Sequence, residues 1–103
     1  MLQLKVFYNI SFPDGYRCEV ITTDESYLVN FEVLLEILRS KIDCLQFIPN
    51  EELRIQYEDD EDTFVNLRVG ESFRDALRCA KAVSGTAFRR LKIKVQWQPN
   101  FIF

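Results

Sequence analysis

The sequence contains no histidine, so the commonest general base and the commonest metal ligand are both missing. Cysteine is scarce and odd in number: Cys18, Cys44 and Cys79 stand far apart. That pattern argues against a disulfide framework and against a zinc site. It predicts reduced, mostly buried thiols in a cytoplasmic protein. No catalytic triad can be assembled, no glycine loop could cradle a phosphate, and no histidine is there to activate a thiol. The chain therefore reads as a non-enzyme, with no catalytic residue, no cofactor and no metal.

Long apolar runs are lacking as well. None approaches the roughly 20 residues of a membrane span. The opening Met1-Leu2-Gln3-Leu4-Lys5 lacks the long apolar stretch of a signal peptide. Asn9-Ile10-Ser11 matches a glycosylation acceptor, a coincidence in a chain without a secretory signal. A basic excess is also missing. The net charge is −3, whereas generic nucleic-acid binding calls for a basic patch. Neither a nucleic-acid nor a membrane partner is expected.

What is present is enough for one domain. The 103 residues, 48% apolar and 28% charged, fit a single hydrophobic core and argue against wholesale disorder. The nine phenylalanines predict a core packed with aromatics in preference to an aromatic ligand cage. Charge is polarised along the chain. Glu58, Asp59, Asp60, Glu61 and Asp62 are five adjacent acids, and after Asp75 every charged residue is basic: Arg78, Lys81, Arg89, Arg90, Lys92 and Lys94. Such a chain can present one negative and one positive surface.

Periodicity gives the elements. Leu2, Leu4, Val6 and Tyr8 alternate with Gln3, Lys5, Phe7 and Asn9, a strand pattern. Pro13-Asp14-Gly15 signals a turn, and a second strand runs from about Tyr16 to Thr23, the two forming a hairpin with a longish loop. Cys18 and Val20 lie on one face of this strand and Arg17, Glu19 and Ile21 on the other. Phe31, Leu34, Leu35, Leu38 and Ile42 make one helical stripe, with Asn30 placed to cap it. The stretch 44–48 fits no pattern, and Pro49-Asn50 marks a loop. Leu53, Ile55 and Tyr57 give a third strand. The five acids then need water and a loop. Phe64–Leu67 is a short fourth strand. Val69, Phe73, Ala76, Leu77 and Ala80 make a second helical stripe, broken at Ser84-Gly85-Thr86. Leu91, Ile93, Val95 and Trp97 alternate with Lys92, Lys94 and Gln96 in a fifth strand, which Pro99 ends. The order β-β-α-β-β-α-β predicts an α+β fold of the β-grasp type. A mixed sheet then packs one face on the long helix and leaves the other to water. Residues 1–98 form the domain, and 99–103 begin a linker or tail. The apolar ending Phe101-Ile102-Phe103 leads us to expect the N-terminal part of a longer protein.

The segment QYEDDEDTFVNLRVGESFRDAL, Gln56 to Leu77, resembles the acidic signature of the Phox and Bem-one domains. In that family a strand ends in an aromatic and is followed by an acidic turn, a short strand and a helix carrying further acids. The whole element order fits the family, so the resemblance spans nearly all of the chain. It implies a ubiquitin-like β-grasp. It implies that Asp59, Asp60 and Glu61, with Asp62, Glu71 and Asp75, form a partner-binding acidic face. Three positions depart from the pattern: Asp62 stands where the family usually has glycine, and Thr63 and Ser72 where it usually has acids. The family's basic site, a lysine on the first strand supported from the second, is matched by Lys5 with Arg17. Members bearing the acidic site pair front to back with members bearing the basic one, and members with both form chains. The resemblance thus implies a scaffold or adaptor in selective autophagy or kinase signalling, whose partner is another domain of the family or a further copy of itself.

Alternation adds to the basic face. Lys5, Arg17, Lys92 and Lys94 each point opposite to their apolar neighbours and should share the water-facing side of the sheet. Neighbouring first and last strands would bring Lys5 close to Lys94. Solubilising lysines on a half-exposed sheet would give the same pattern. A calcium site in the acidic run is disfavoured, because the acids are contiguous and no glycine lies among them. Conjugation as a modifier would need a terminal Gly-Gly, where this sequence has Asn100-Phe101-Ile102-Phe103. A small-GTPase-binding ubiquitin-like domain, using the edge of the second strand and Arg17, is the alternative.

Overall fold

A computed structural model describes residues 1–9, 15–67 and 73–98. Pro13 and Asp14 of the expected first turn, Val69, Glu71 and Ser72, and the tail 99–103 lie outside the described residues.

The first strand, β1 (Leu2–Asn9), buries every second side chain: Leu2, Leu4, Val6 and Tyr8 face inward. It pairs antiparallel with β2 (Arg17–Thr23). The main helix, α1 (Phe31–Lys41), starts where Asn30 accepts a hydrogen bond from the Val33 N–H at 3.0 Å. This is the expected cap for the free amides of the first turn. Its buried stripe is Phe31, Leu34, Leu35 and Leu38, the i, i+3, i+4, i+7 spacing of one helical face. The patternless stretch after it is a 3-10 turn, Asp43–Phe47. Its carbonyls are held by an arginine: Arg39 donates to Leu45 O at 3.3 Å and to Ile48 O at 2.7 Å.

β3 (Leu53–Glu58) and β4 (Phe64–Leu67) form a hairpin around the acidic run. α2 is a single short turn, Arg74–Arg78, with Ala80 beyond its end. A two-residue strand that the sequence pattern does not announce, β5 (Lys81–Ala82), precedes β6 (Arg89–Trp97). The strand order is β2-β1-β6-β3-β4, with β5 also on β6. β1 and β6 are parallel and every other pair is antiparallel. The molecule is thus a small α+β domain with a mixed six-stranded sheet and one main helix.

One core joins the helix stripe to the inward residues of β1, β3 and β6, including Leu4, Val6, Ile55, Leu91, Ile93 and Val95. The core is aliphatic more than aromatic, contrary to the expectation from the phenylalanine count. Of the described phenylalanines only Phe31 and Phe73 are buried, while Phe47 is 86% exposed. The thiols differ from expectation too: Cys18 is exposed, and Cys44 and Cys79 are half-buried. Among the described residues no helix is long and apolar enough to cross a membrane.

Candidate functional site

The acidic run closes the β3–β4 hairpin, and its five carboxylates are not equivalent. Asp59 is half-buried and turned onto its own loop. Its carboxylate accepts from the N–H groups of Glu61 and Thr63, both at 2.9 Å. Its own N–H donates to Thr63 O at 2.9 Å. Two backbone amides that would otherwise need water are satisfied, and the loop is fixed as a turn. Asp62 has φ +60°, the left-handed region that short polar residues tolerate better than most.

Asp62 is also the anchor of an ion pair. Lys81 Nζ lies 2.7 Å from Asp62 Oδ1 and 4.0 Å from Glu58 Oε1. Lys92 Nζ lies 3.7 Å from the same Glu58 oxygen. The hydrogen bond and charge of Lys81 hold the Asp62 carboxyl below its ordinary range, and the same bond pushes the Lys81 ammonium up. Asp60 and Glu61 are exposed and form no side-chain ion pair among the described residues.

Asp75, on α2, is exposed, and its carboxylate lies 3.5 Å from the Arg78 guanidinium. The Cys79 thiol, just after α2, donates to Asp75 O at 3.5 Å. It is pushed up first by burial and then by the nearby carboxylates of Asp60, Asp59 and Asp75, against a lowering hydrogen bond from the Asp60 backbone. The turn and Asp75 therefore share one neighbourhood. Glu71 lies outside the described residues. Among the described residues no three acids, cysteines or histidines are arranged to hold a metal ion.

On the open sheet face the register corrects the expected basic set. Leu4 stands opposite Ile21, Val6 opposite Glu19 and Tyr8 opposite Arg17. Directly opposed residues share a face, so Arg17 lies on the side of Leu4 and Val6, away from Lys5. Cys18 and Val20, read as inward, stand opposite Phe7 and Lys5 on the open side. The physical reason is that β2 outruns the core. Only Ile21 of this strand is buried, and residues 17–20 are exposed on both faces. The apolar alternation Cys18, Val20 is therefore not an inward stripe.

Lys5, Lys92 and Lys94 do share the open face, but the parallel register puts Lys92 opposite Lys5, and Lys94 opposite Phe7. Their surroundings separate them further. Lys92 is drawn to Glu58. The Lys94 ammonium sits over two rings, Tyr16 at 5.0 Å and Phe64 at 5.4 Å. Lys5 lies over Phe7 at 5.5 Å and enters no ion pair among the described residues. Gln96 donates to the Tyr16 hydroxyl and steadies that ring. Phe7, Tyr16, Phe64, Lys92, Lys94 and Glu58 line a shallow hollow of about 310 Å³.

Glu58 and Lys81 were missed as site residues. Glu58 belongs to the acidic run but ends β3 with its side chain on the open face, a position that strand parity alone would have given. Lys81 had no signal, because only its pairing with Arg90 of β6 brings it to the turn. Compared with protein-family models and with curated proteins, the chain matches none.

Proposed function

We propose that this chain is a non-catalytic, cytoplasmic interaction domain of the ubiquitin-like β-grasp type, similar to the Phox and Bem-one domains. In this reading it serves a scaffold or adaptor. Its acidic turn pairs front to back with the basic face of a second domain of its own kind, a copy or a relative. The observation that carries the proposal is the presentation of Asp60 and Glu61. They stand exposed, with no ion pair among the described residues, on a turn that Asp59 braces from within. A fixed turn loses little entropy on docking, and clustered carboxylates make charge-assisted hydrogen bonds to lysine or arginine.

Three further observations support it. The order β2-β1-β6-β3-β4, with a parallel central pair and one main helix, suits a β-grasp. The positive φ of Asp62 falls where the family usually has glycine. Lys5 stands on the open face with no carboxylate partner among the described residues, as a first-strand basic site requires. In this proposal the acidic face is Asp60 and Glu61, flanked by Asp75, and the basic face is Lys5 with Lys94. Selective autophagy or kinase signalling is the setting that the resemblance favours.

The test is the solution mass by light scattering at low and high salt. The wild type should form salt-sensitive oligomers, and Asp60→Ala/Glu61→Ala should be monomeric throughout. Oligomers that ignore both salt and the double substitution would contradict the proposal. A second reading, a small-GTPase-binding domain, is favoured by one observation. β2 is an edge strand, exposed on both faces at residues 17–20, and could add a strand from a partner. The acidic turn would then be irrelevant to binding.

A further inference from the structure

The ion pairs at the base of the acidic turn form a chain: Asp62 to Lys81, Lys81 to Glu58, and Glu58 to Lys92, at 2.7, 4.0 and 3.7 Å. β5 makes this possible. β1 covers one edge of β6, and β3 covers the other from Ile93 onward. The pairing of Lys81 with Arg90 and of Ala82 with Arg89 therefore sets β5 beyond the end of β3. Lys81 on the open face thus reaches the turn from the side. Lys81, Arg90 and Lys92 border a hollow of about 340 Å³ whose acidic wall is Glu58 and Asp62.

We propose that Lys81 is an internal competitor at the acidic turn. It occupies, on Asp62 and Glu58, the place a partner's lysine or arginine would take, and it thereby holds down the affinity for a basic partner. The inference rests on the acidic-turn reading above. Exposure differs along the chain. The Glu58 side chain is 15% exposed, whereas those of Lys81 and Asp62 are 54% and 75% exposed. The outer half of the chain is therefore an exchangeable surface pair, which water and a competing cation can open. A cation approaching Asp62 has to displace Lys81 and also meets like charge from it, from Arg90 and from Lys92, an arrangement that disfavours association. Asp60 and Glu61, outside the chain, remain available. The domain then has two acids ready and a third in reserve, released when the Lys81 charge is removed.

The experiment titrates the full chain with a short fluorescent peptide rich in lysine and arginine, read by anisotropy at low salt. Lys81→Gln should bind about three-fold more tightly, the scale of one exposed ion pair, and Lys81→Arg should bind like the wild type. Asp62→Asn should change little in the wild type but cancel the gain in the Lys81→Gln background, a coupling that identifies direct competition. With folding checked by circular dichroism, unchanged or weaker binding by Lys81→Gln overturns the proposal. A gain that persists in full with Asp62→Asn is general charge repulsion and overturns it as well. Asp60→Ala/Glu61→Ala separates the two levels. If it leaves wild-type binding intact, the acidic-turn reading has failed. If it abolishes binding while Lys81→Gln has no effect, only the competitor has failed.

Discussion

Asp59, Asp60 and Asp62 are near neighbours of one type, yet each does a different job. Asp59 spends its carboxylate on two amides of its own loop. Asp60 faces water. Asp62 accepts from Lys81 while holding a left-handed backbone. The division of labour follows from position in the turn, which composition does not reveal. A left-handed conformation costs an ordinary L-residue roughly 1–2 kcal/mol, and a β-branched residue fits it worst. Asp62→Val should therefore lower unfolding stability by about 1–2 kcal/mol. Asp62→Gly should lower it by clearly less, because glycine adopts that backbone freely and the exposed pair with Lys81 contributes little. Urea denaturation of both variants checks this. Equal losses would show that the backbone at this position carries no strain.

At the scale of elements, what could be read from the sequence depended on whether an element is held by its own pattern or by its neighbours. β1, α1 and β6 each carry a continuous apolar stripe, and each forms where that stripe predicts. β2 misled because its apolar residues alternate on a strand the core barely reaches, which put Arg17 on the wrong face. β5 was invisible because two residues have no period, and pairing with β6 alone makes them a strand. The candidate site followed the same division. The acidic turn and Lys5 were legible as local patterns. The ties from Lys81 and Lys92 to Glu58 and Asp62 depend on sheet register and were not. The stretch after α1 gave no pattern either, because it is held from outside by Arg39. Hydrogen bonds from a charged donor contribute about 1.5–3 kcal/mol. Arg39→Ala should therefore destabilise the fold by about 2 kcal/mol, measured by thermal unfolding. A change near zero would mean that residues 43–48 hold their 3-10 path without the arginine.

The whole molecule presents two unlike surfaces. At one end of the sheet the β3–β4 turn and α2 bring Asp59, Asp60 and Asp75 near Cys79, and Glu61 is exposed on the same turn. Across the open face Lys5 and Lys94 stand among Phe7, Tyr16 and Phe64. Part of each charge set is already neutralised by the other, through Glu58, Lys92, Asp62 and Lys81. In the proposed pairing the remaining charges would set how strongly copies attract, and the attraction should weaken with salt because exposed charges are screened within about 10 Å at moderate ionic strength. Single exposed pairs contribute at most about 1 kcal/mol, so useful affinity needs several acting together.

The central claim is that the acidic turn of one domain meets the basic face of another. Its most direct test mixes two variants, each lacking one face: Asp60→Ala/Glu61→Ala, which keeps Lys5 and Lys94, and Lys5→Ala/Lys94→Ala, which keeps the turn. Alone, each should be monomeric by light scattering at low salt. Mixed, they should form a one-to-one complex that high salt dissolves, since one intact turn meets one intact basic face and the chain cannot extend. Two monomers that stay apart when mixed at low salt would contradict front-to-back pairing through these faces.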